Sequence, residues 1–162
     1  MKNLLLMRHA TAAEKEAGQT DSDRVLTLFG ERQAGQAGLW LVEQQLVPQL
    51  VLCSPAVRTR HTWEQAEDAL PKKVPIEFEN DLYLGTEHDI QSIVQGVHED
   101  VDTLLVVGHN PTIAFLAAML LQVQDEELAF RPATLVWLQY SGSHWRDLRA
   151  KSCKLMAKYV GQ

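Results

Sequence analysis

Two histidines stand directly behind short apolar runs: Leu4-Leu5-Leu6-Met7 leads into Arg8-His9, and Thr103-Leu104-Leu105-Val106-Val107-Gly108 leads into His109-Asn110-Pro111. If both runs are strands of one parallel sheet, their carboxyl ends lie side by side, and open α/β sheets bind ligands there. A guanidinium and two imidazoles converging on that crevice suit a small anion, and a histidine flanked by arginine suits phosphoryl transfer through histidine. A third cation is placed by Ser54-Pro55-Ala56-Val57-Arg58-Thr59 behind the apolar run Leu50 to Cys53. A hydroxyl followed by proline is the grammar of a helix start, so Arg58 falls near the first turn, where its guanidinium can reach back and grip phosphate oxygens bidentately. Asn110-Pro111 repeats that grammar. Helix starts at Pro55 and Pro111 would each offer unpaired N–H groups and a favourable dipole to an anion.

These residues need a scaffold, and the chain alternates short β-branched or leucine-rich runs with longer helical periods, which predicts an α/β fold. Strands are expected at Asn3 to Met7, Leu50 to Cys53, Val74 to Phe78, Thr103 to Gly108, Leu135 to Tyr140 and His144 to Leu148. The last two are expected to form a hairpin through Ser141-Gly142-Ser143, giving a mostly parallel sheet with an antiparallel edge. Helices are expected over Glu31 to Gln45, from Pro55 to about Leu70, over Glu87 to Glu99, and over the apolar stretch Thr112 to Leu121. Ala12 to Arg24 is polar and aperiodic, a loop able to lie over the site. The tail from Lys151 to Gln162 is basic and modestly apolar, and its placement stays open.

The 162 residues suit a single domain, 1–162, with a core large enough to stand without disulfides or metals. A net charge of -6 and the lack of a Lys/Arg-rich run argue against nucleic acid or an anionic membrane as partner, so any anion site is local. No run approaches the roughly 18 apolar residues of a membrane span, and the first apolar stretch is too short for a signal-peptide core. With only two cysteines, Cys53 in an apolar run, the chain is expected to be cytoplasmic with reduced thiols.

Rival chemistries fail on spacing. Cys53 to Arg58 leaves four residues between thiol and guanidinium, one of them proline, against the five of a cysteine-dependent phosphatase loop, so Cys53 is expected in the core. No Gly-x-x-x-x-Gly-Lys or Gly-x-Gly-x-x-Gly occurs, which implies no nucleotide cofactor. His61, His88, His98 and His144 show no ligand spacing, and neither a zinc site nor any other metal is expected.

The motifs Arg8-His9-Ala10, Asp23-Arg24-Val25-Leu26-Thr27-Leu28-Phe29-Gly30, Ser54-Pro55-Ala56-Val57-Arg58-Thr59 and Gly108-His109-Asn110-Pro111, in that order over nearly the whole chain, resemble the histidine phosphatase superfamily. They are most similar to its small phosphohistidine phosphatase branch, the SixA branch. The resemblance implies a three-layer α/β/α sandwich, phosphoglycerate-mutase-like but without a large cap insertion. It implies His9 as nucleophile, Arg8, Arg58 and His109 as ligands of the phosphoryl oxygens, Arg24 as a further substrate or phosphate contact, and no cofactor. Ala10 replaces the family's usual glycine, which requires a backbone of negative φ there.

Mutase-like relatives carry a glutamate as general acid after the third strand, whereas Asn80 to Glu87 offers only Asp81 and Glu87 as candidates. An alkyl phosphate expels a basic alkoxide that needs that proton, while a phosphohistidine can leave as neutral imidazole once its far nitrogen is protonated. The expected substrate is therefore a phosphohistidine on a protein, a phosphocarrier or histidine-transfer domain. The alternatives are a small-molecule phosphomonoesterase and a non-catalytic phosphohistidine-binding module.

Overall fold

Leu4, Leu5, Leu6 and Met7 are each fully buried, and this sets the architecture. Successive side chains of a strand point to opposite faces, so an uninterrupted apolar run needs cover on both sides. The computed structural model describes residues 1–122 and 128–161 and supplies that cover. Six strands, β1 (Lys2–Arg8), β2 (Leu50–Cys53), β3 (Ile76–Phe78), β4 (Thr103–Gly108), β5 (Leu135–Tyr140) and β6 (Cys153–Tyr159), form one sheet in the order β3-β2-β4-β1-β5-β6. β1 to β4 run parallel, while β5 and β6 add an antiparallel edge.

Helices α1 (Leu28–Glu43) and α2 (Val57–Glu67) cover the face carrying Leu5, Met7, Val51, Cys53, Leu105 and Val107. Helices α4 (Glu87–Gln95) and α5 (Thr112–Leu120) cover the face carrying Leu4, Leu6, Leu104 and Val106. A one-turn helix, α3 (Asp81–Leu84), joins β3 to α4. Each fully buried leucine or valine contributes about 1.5–3 kcal/mol of transfer free energy, which makes this double-sided core the main source of stability. No described helix is long and apolar enough to cross a membrane.

The expected strands over Leu50 to Cys53, Thr103 to Gly108 and Leu135 to Tyr140 have the same bounds in the fold. The expected terminal hairpin does not form. Residues 144–148 instead hold a 3-10 turn, Trp145–Asp147, and the strand that pairs with β5 comes from the tail. The cause is Trp145: its indole is fully buried, its N–H donates to Val101 O at 2.7 Å, and it stacks on Tyr140. A strand would have placed that side chain by alternation rather than under α4. β3 is shorter than expected because the Val74 N–H is taken by the Glu67 carboxylate at 2.9 Å and cannot join the ladder. Helix α1 begins earlier than Glu31, since the Thr27 hydroxyl accepts from Gly30 N at 3.0 Å and caps it there.

Helices α1 and α2 touch through backbone. A Cβ on Gly38 would sit 2.1 Å from Ala66 O, whereas a Cβ on Gly35 of the same helix meets nothing within 4 Å. Gly38→Ala is expected to destabilise the fold by about 1–3 kcal/mol through overpacking. Gly35→Ala should stabilise it by about 0.5–1 kcal/mol through helix propensity. Urea midpoints of the two variants moving in the same direction would contradict this packing.

Candidate active site

The parallel register of β1 and β4 pairs Arg8 with Gly108, and the next residue of each strand is a histidine. His9 N donates to Gly108 O at 3.1 Å, and Ala133 N donates back to His9 O at 3.0 Å, so the backbone is held on both sides as it leaves the sheet. The rings of His9 and His109 then lie 5.3 Å apart, tilted by 57°. β2 ends beside them, and Ser54, the residue after it, places its Oγ 2.8 Å from His109 Nε2. Arg58 enters from the first turn of α2 and is only 6% exposed.

Arg8, His9, Arg58 and His109 are each tethered through part of their nitrogen set and leave another nitrogen unengaged. His9 Nδ1 lies 2.7 Å from Ala10 O. A carbonyl can only accept, so Nδ1 carries the proton and Nε2 carries the lone pair. Arg8 Nη1 donates to Phe130 O at 2.9 Å while its Nε has no partner. Arg58 gives Nη1 to Asp21 O at 2.9 Å and Nη2 to Asp21 Oδ2 at 3.0 Å, and again Nε has no partner. His109 uses Nε2 on Ser54 and leaves Nδ1 buried and unpartnered. Buried polar nitrogens are rarely left without a partner, and three at one strand-end crevice match what a tetrahedral oxyanion would satisfy.

Electrostatics follow from the same packing. Burial first, then the charges of Arg58, Arg8 and Arg24, lower the His9 pKa from 6.5 to about 4, against an opposing contribution from its bond to Ala10. Burial, then His9 and Arg58, take His109 to about 3. Both rings are therefore neutral near pH 7 and stay so well into acid. A neutral, arginine-flanked imidazole with a free Nε2 is a competent nucleophile towards phosphorus.

Two residues that sequence reasoning passed over complete the crevice. Asp21, in a 3-10 turn (Asp21–Asp23), bonds Arg58 and also accepts from Arg24 Nη1 at 3.2 Å and from the Tyr83 hydroxyl at 2.6 Å. The Tyr83 bond, followed by those of Arg58 and Arg24, holds the Asp21 carboxyl well below the usual carboxylate range. Tyr83, on α3, meets His109 edge-on at 5.4 Å between ring centroids, with the Arg58 guanidinium 5.9 Å from its own. The loop Ala12 to Arg24 thus reaches the site through Asp21. Neither residue had a legible signal, since a charged aperiodic loop and a lone tyrosine carry no spacing rule.

Arg24 gives Nε to Ala13 O at 2.9 Å and Nη1 to Asp21, so its fork supports the loop, and its charge adds the smallest of the three arginine contributions that lower the His9 pKa. Asp81 and Glu87 begin α3 and α4, and among the described residues no hydrogen bond or ion pair joins either to Arg8, His9, Arg58 or His109. Ala10 is fully buried and lies outside the positive-φ region, and its N–H is held by Thr62 Oγ1 at 2.9 Å, so the methyl is tolerated. Cys53 is buried, with its thiol pushed up to about 12 by burial, an inert core residue.

The helix starts differ from the expected ones. α2 begins at Val57 and α5 at Thr112, each two or fewer residues beyond its proline, and neither Ser54 nor Asn110 caps in the usual way. The Ser54 hydroxyl is drawn to His109, and Asn110 Nδ2 donates to Phe130 O at 3.0 Å, the carbonyl that also holds Arg8. Both residues expected as caps are thereby spent on orienting the site.

The chain is similar to known proteins over most of its length. Residues 4–83 match the model of the histidine phosphatase superfamily (branch 1). An uncharacterized protein of Mycobacterium tuberculosis is 33% identical, covering 95% of this chain and 99% of its own length. The phosphohistidine phosphatase SixA of Escherichia coli is 29% identical over 97% of this chain and 99% of its own. A solved structure from Nakamurella multipartitia, assigned by name to phosphohistidine phosphatase SixA, superposes with a TM-score of 0.87 at 31% identity, covering 99% of this chain and 96% of that one.

Proposed function

This chain belongs to the histidine phosphatase superfamily, and from that premise we propose that it removes the phosphoryl group from phosphohistidine on a protein through a phosphoenzyme at His9. The observation that carries the proposal is the tethering of His9 Nδ1 by Ala10 O, which leaves the Nε2 lone pair on a ring 5.3 Å from that of His109, whose Nδ1 is buried without a partner. The likeness to SixA phosphohistidine phosphatases supports the same substrate class.

In the first step the Nε2 lone pair of His9 attacks phosphorus, and the P–N bond to the substrate imidazole breaks. The departing ring keeps the bonding pair and leaves neutral, its far nitrogen having taken a proton from solvent. Arg8 Nε, Arg58 Nε and His109 Nδ1 hold the equatorial oxygens, whose charge they stabilise in a partly desolvated crevice. In the second step water attacks the phosphorylated His9. The P–N bond breaks back to a neutral ring, and orthophosphate takes up the water's hydroxyl while the remaining proton passes to solvent. Metal chemistry has no part in this scheme.

The substrate class follows from proton supply. Asp21 is ionised by its bonds to Tyr83, Arg58 and Arg24 and cannot donate a proton near neutrality, and the Tyr83 hydroxyl proton is held on Asp21. General acid catalysis is worth about 10²–10⁴-fold, so esters with alkoxide leaving groups should suffer and phosphoramidates should not. Turnover of a phosphohistidine carrier protein is expected to exceed that of sugar phosphates by about a hundredfold or more in kcat/KM. Faster hydrolysis of the sugar phosphates would assign a small-molecule phosphomonoesterase instead.

The low His9 pKa also sets a pH dependence. The reactive form is the neutral ring, which protonates only near pH 4, so kcat/KM on phosphoramidate should show no His9-linked fall between pH 8 and about 5.5. A nucleophile titrating at the ordinary value would lose about tenfold by pH 5.5. An acid limb centred near 6.5 would contradict the neutral, buried His9.

A further inference from the structure

We infer that Ser54 is a positioning residue that fixes the tautomer of His109, placing the ring proton on Nδ1 so that this nitrogen donates to the phosphoryl group. The inference rests on the proposed site and adds to it a residue outside the set that touches the anion.

Ser54 is fully buried at the end of β2. Its Oγ has two partners among the described residues: Ala56 N at 3.3 Å, which can only donate to it, and His109 Nε2 at 2.8 Å. A serine hydroxyl has one proton to give. If it gives that proton to His109 Nε2, the hydroxyl accepts from Ala56 and donates to the ring, and only the Nδ1 proton is left for the anion to satisfy. The reverse assignment puts the ring proton on Nε2 and donates it to Oγ. The serine proton is then buried without an acceptor, at a desolvation cost of the kind that native structures avoid. That assignment also leaves a bare lone pair on the buried Nδ1, facing an anion already rich in lone pairs.

The rest of the turn supports the choice. Ser54 N donates to Val107 O at 3.1 Å and Thr59 Oγ1 donates to Ser54 O at 2.8 Å, so the backbone that carries the hydroxyl is held from both strand and helix. The ring is locked in place as well, against Tyr83 on one side and His9 on the other. Burial keeps His109 neutral, so a single ring proton is available, and its location decides whether Nδ1 attracts or repels phosphate oxygen. The hydroxyl that the sequence presents as a helix cap thus serves as a proton-donating stop for the second histidine.

The test is the nitrogen spectrum of the full chain labelled with ¹⁵N-histidine, with the His109 signals assigned by their loss in His109→Asn. The expected pattern for the wild type is a protonated, pyrrole-like Nδ1 and a pyridine-like Nε2. The opposite pattern overturns the inference without reference to any variant. In Ser54→Ala the His109 signals should move towards the Nε2-protonated form, while vanadate affinity and turnover of phosphoramidate both fall by about tenfold, part of the 10²–10³-fold that a single oxyanion donor is worth. Ser54→Thr, which keeps the hydroxyl, should restore the wild-type spectrum. An unchanged His109 tautomer in a folded Ser54→Ala protein would also overturn it. If the wild-type tautomer is as inferred and phosphohistidine is not hydrolysed, the proposed substrate fails and the role of Ser54 stands.

Discussion

Replacing His9 by alanine is expected to lower turnover of a phosphohistidine protein by about four orders of magnitude or more, the scale on which removal of a covalent nucleophile acts. The fold should survive. The backbone bonds of His9 to Gly108 and Ala133 do not depend on the side chain. Unchanged circular dichroism together with lost activity would separate chemistry from folding. The same variant should fail to retain acid-labile phosphate when mixed with labelled substrate and quenched in alkali, whereas the wild-type chain should retain it. Retention of label by the variant would place the phosphoenzyme on another side chain. Lack of label on a turning-over wild type would favour direct attack of water.

Arg58→Ala is expected to reduce kcat/KM by about 10²–10³-fold, more than loss of one hydrogen bond in water would imply. The excess comes from what remains behind. Arg58 occupies Asp21 through both its backbone carbonyl and its carboxylate, and without the guanidinium that carboxylate keeps only Arg24 and Tyr83. A negative charge is then less well neutralised beside the place where a second, larger one must bind. The double variant Arg58→Ala/Asp21→Asn should therefore recover about fivefold over Arg58→Ala alone, a coupling expected of groups in direct contact. Losses that simply multiply in the double variant would mean that Asp21 plays no part in balancing the crevice. Asp21→Asn alone should act more mildly, since the amide oxygen can still accept from Arg58.

Much of this site is visible in the chain because strand ends are visible. Apolar runs that stop at Arg8-His9 and at Gly108-His109 announce where buried strands emerge, and parallel pairing does the rest. The register that brings the two rings within 5.3 Å follows from one β1–β4 ladder. Arg58 was legible for a related reason, since a helix must begin after β2 and its first turn faces the same crevice. What escaped is what depends on side chains meeting across loops. Asp21 and Tyr83 come from segments with no hydrophobic period, and only the folded loop shows that they share a hydrogen bond and surround Arg58.

The misplaced elements have a similar origin. His144 to Leu148 breaks its alternation at Arg146-Asp147, and the burial of Trp145 and its bond to Val101 keep it out of the sheet, whereas the tail strand puts Cys153, Leu155, Ala157 and Tyr159 at every second position. Ser54 and Asn110 have the chemistry of helix caps. Each instead turns its side chain to the site, towards His109 and towards the carbonyl that anchors Arg8. Local propensity gave way at these positions because a tertiary partner offered a better hydrogen bond, which is the expected place for local rules to fail in a catalytic fold.

The most direct test of the His9 assignment is a crystal structure of the chain grown with vanadate. The expected result is a trigonal-bipyramidal vanadium bonded to His9 Nε2, with equatorial oxygens accepting from Arg8 Nε, Arg58 Nε and His109 Nδ1. A vanadate bonded to any other side chain, or seated away from these four residues, would contradict it.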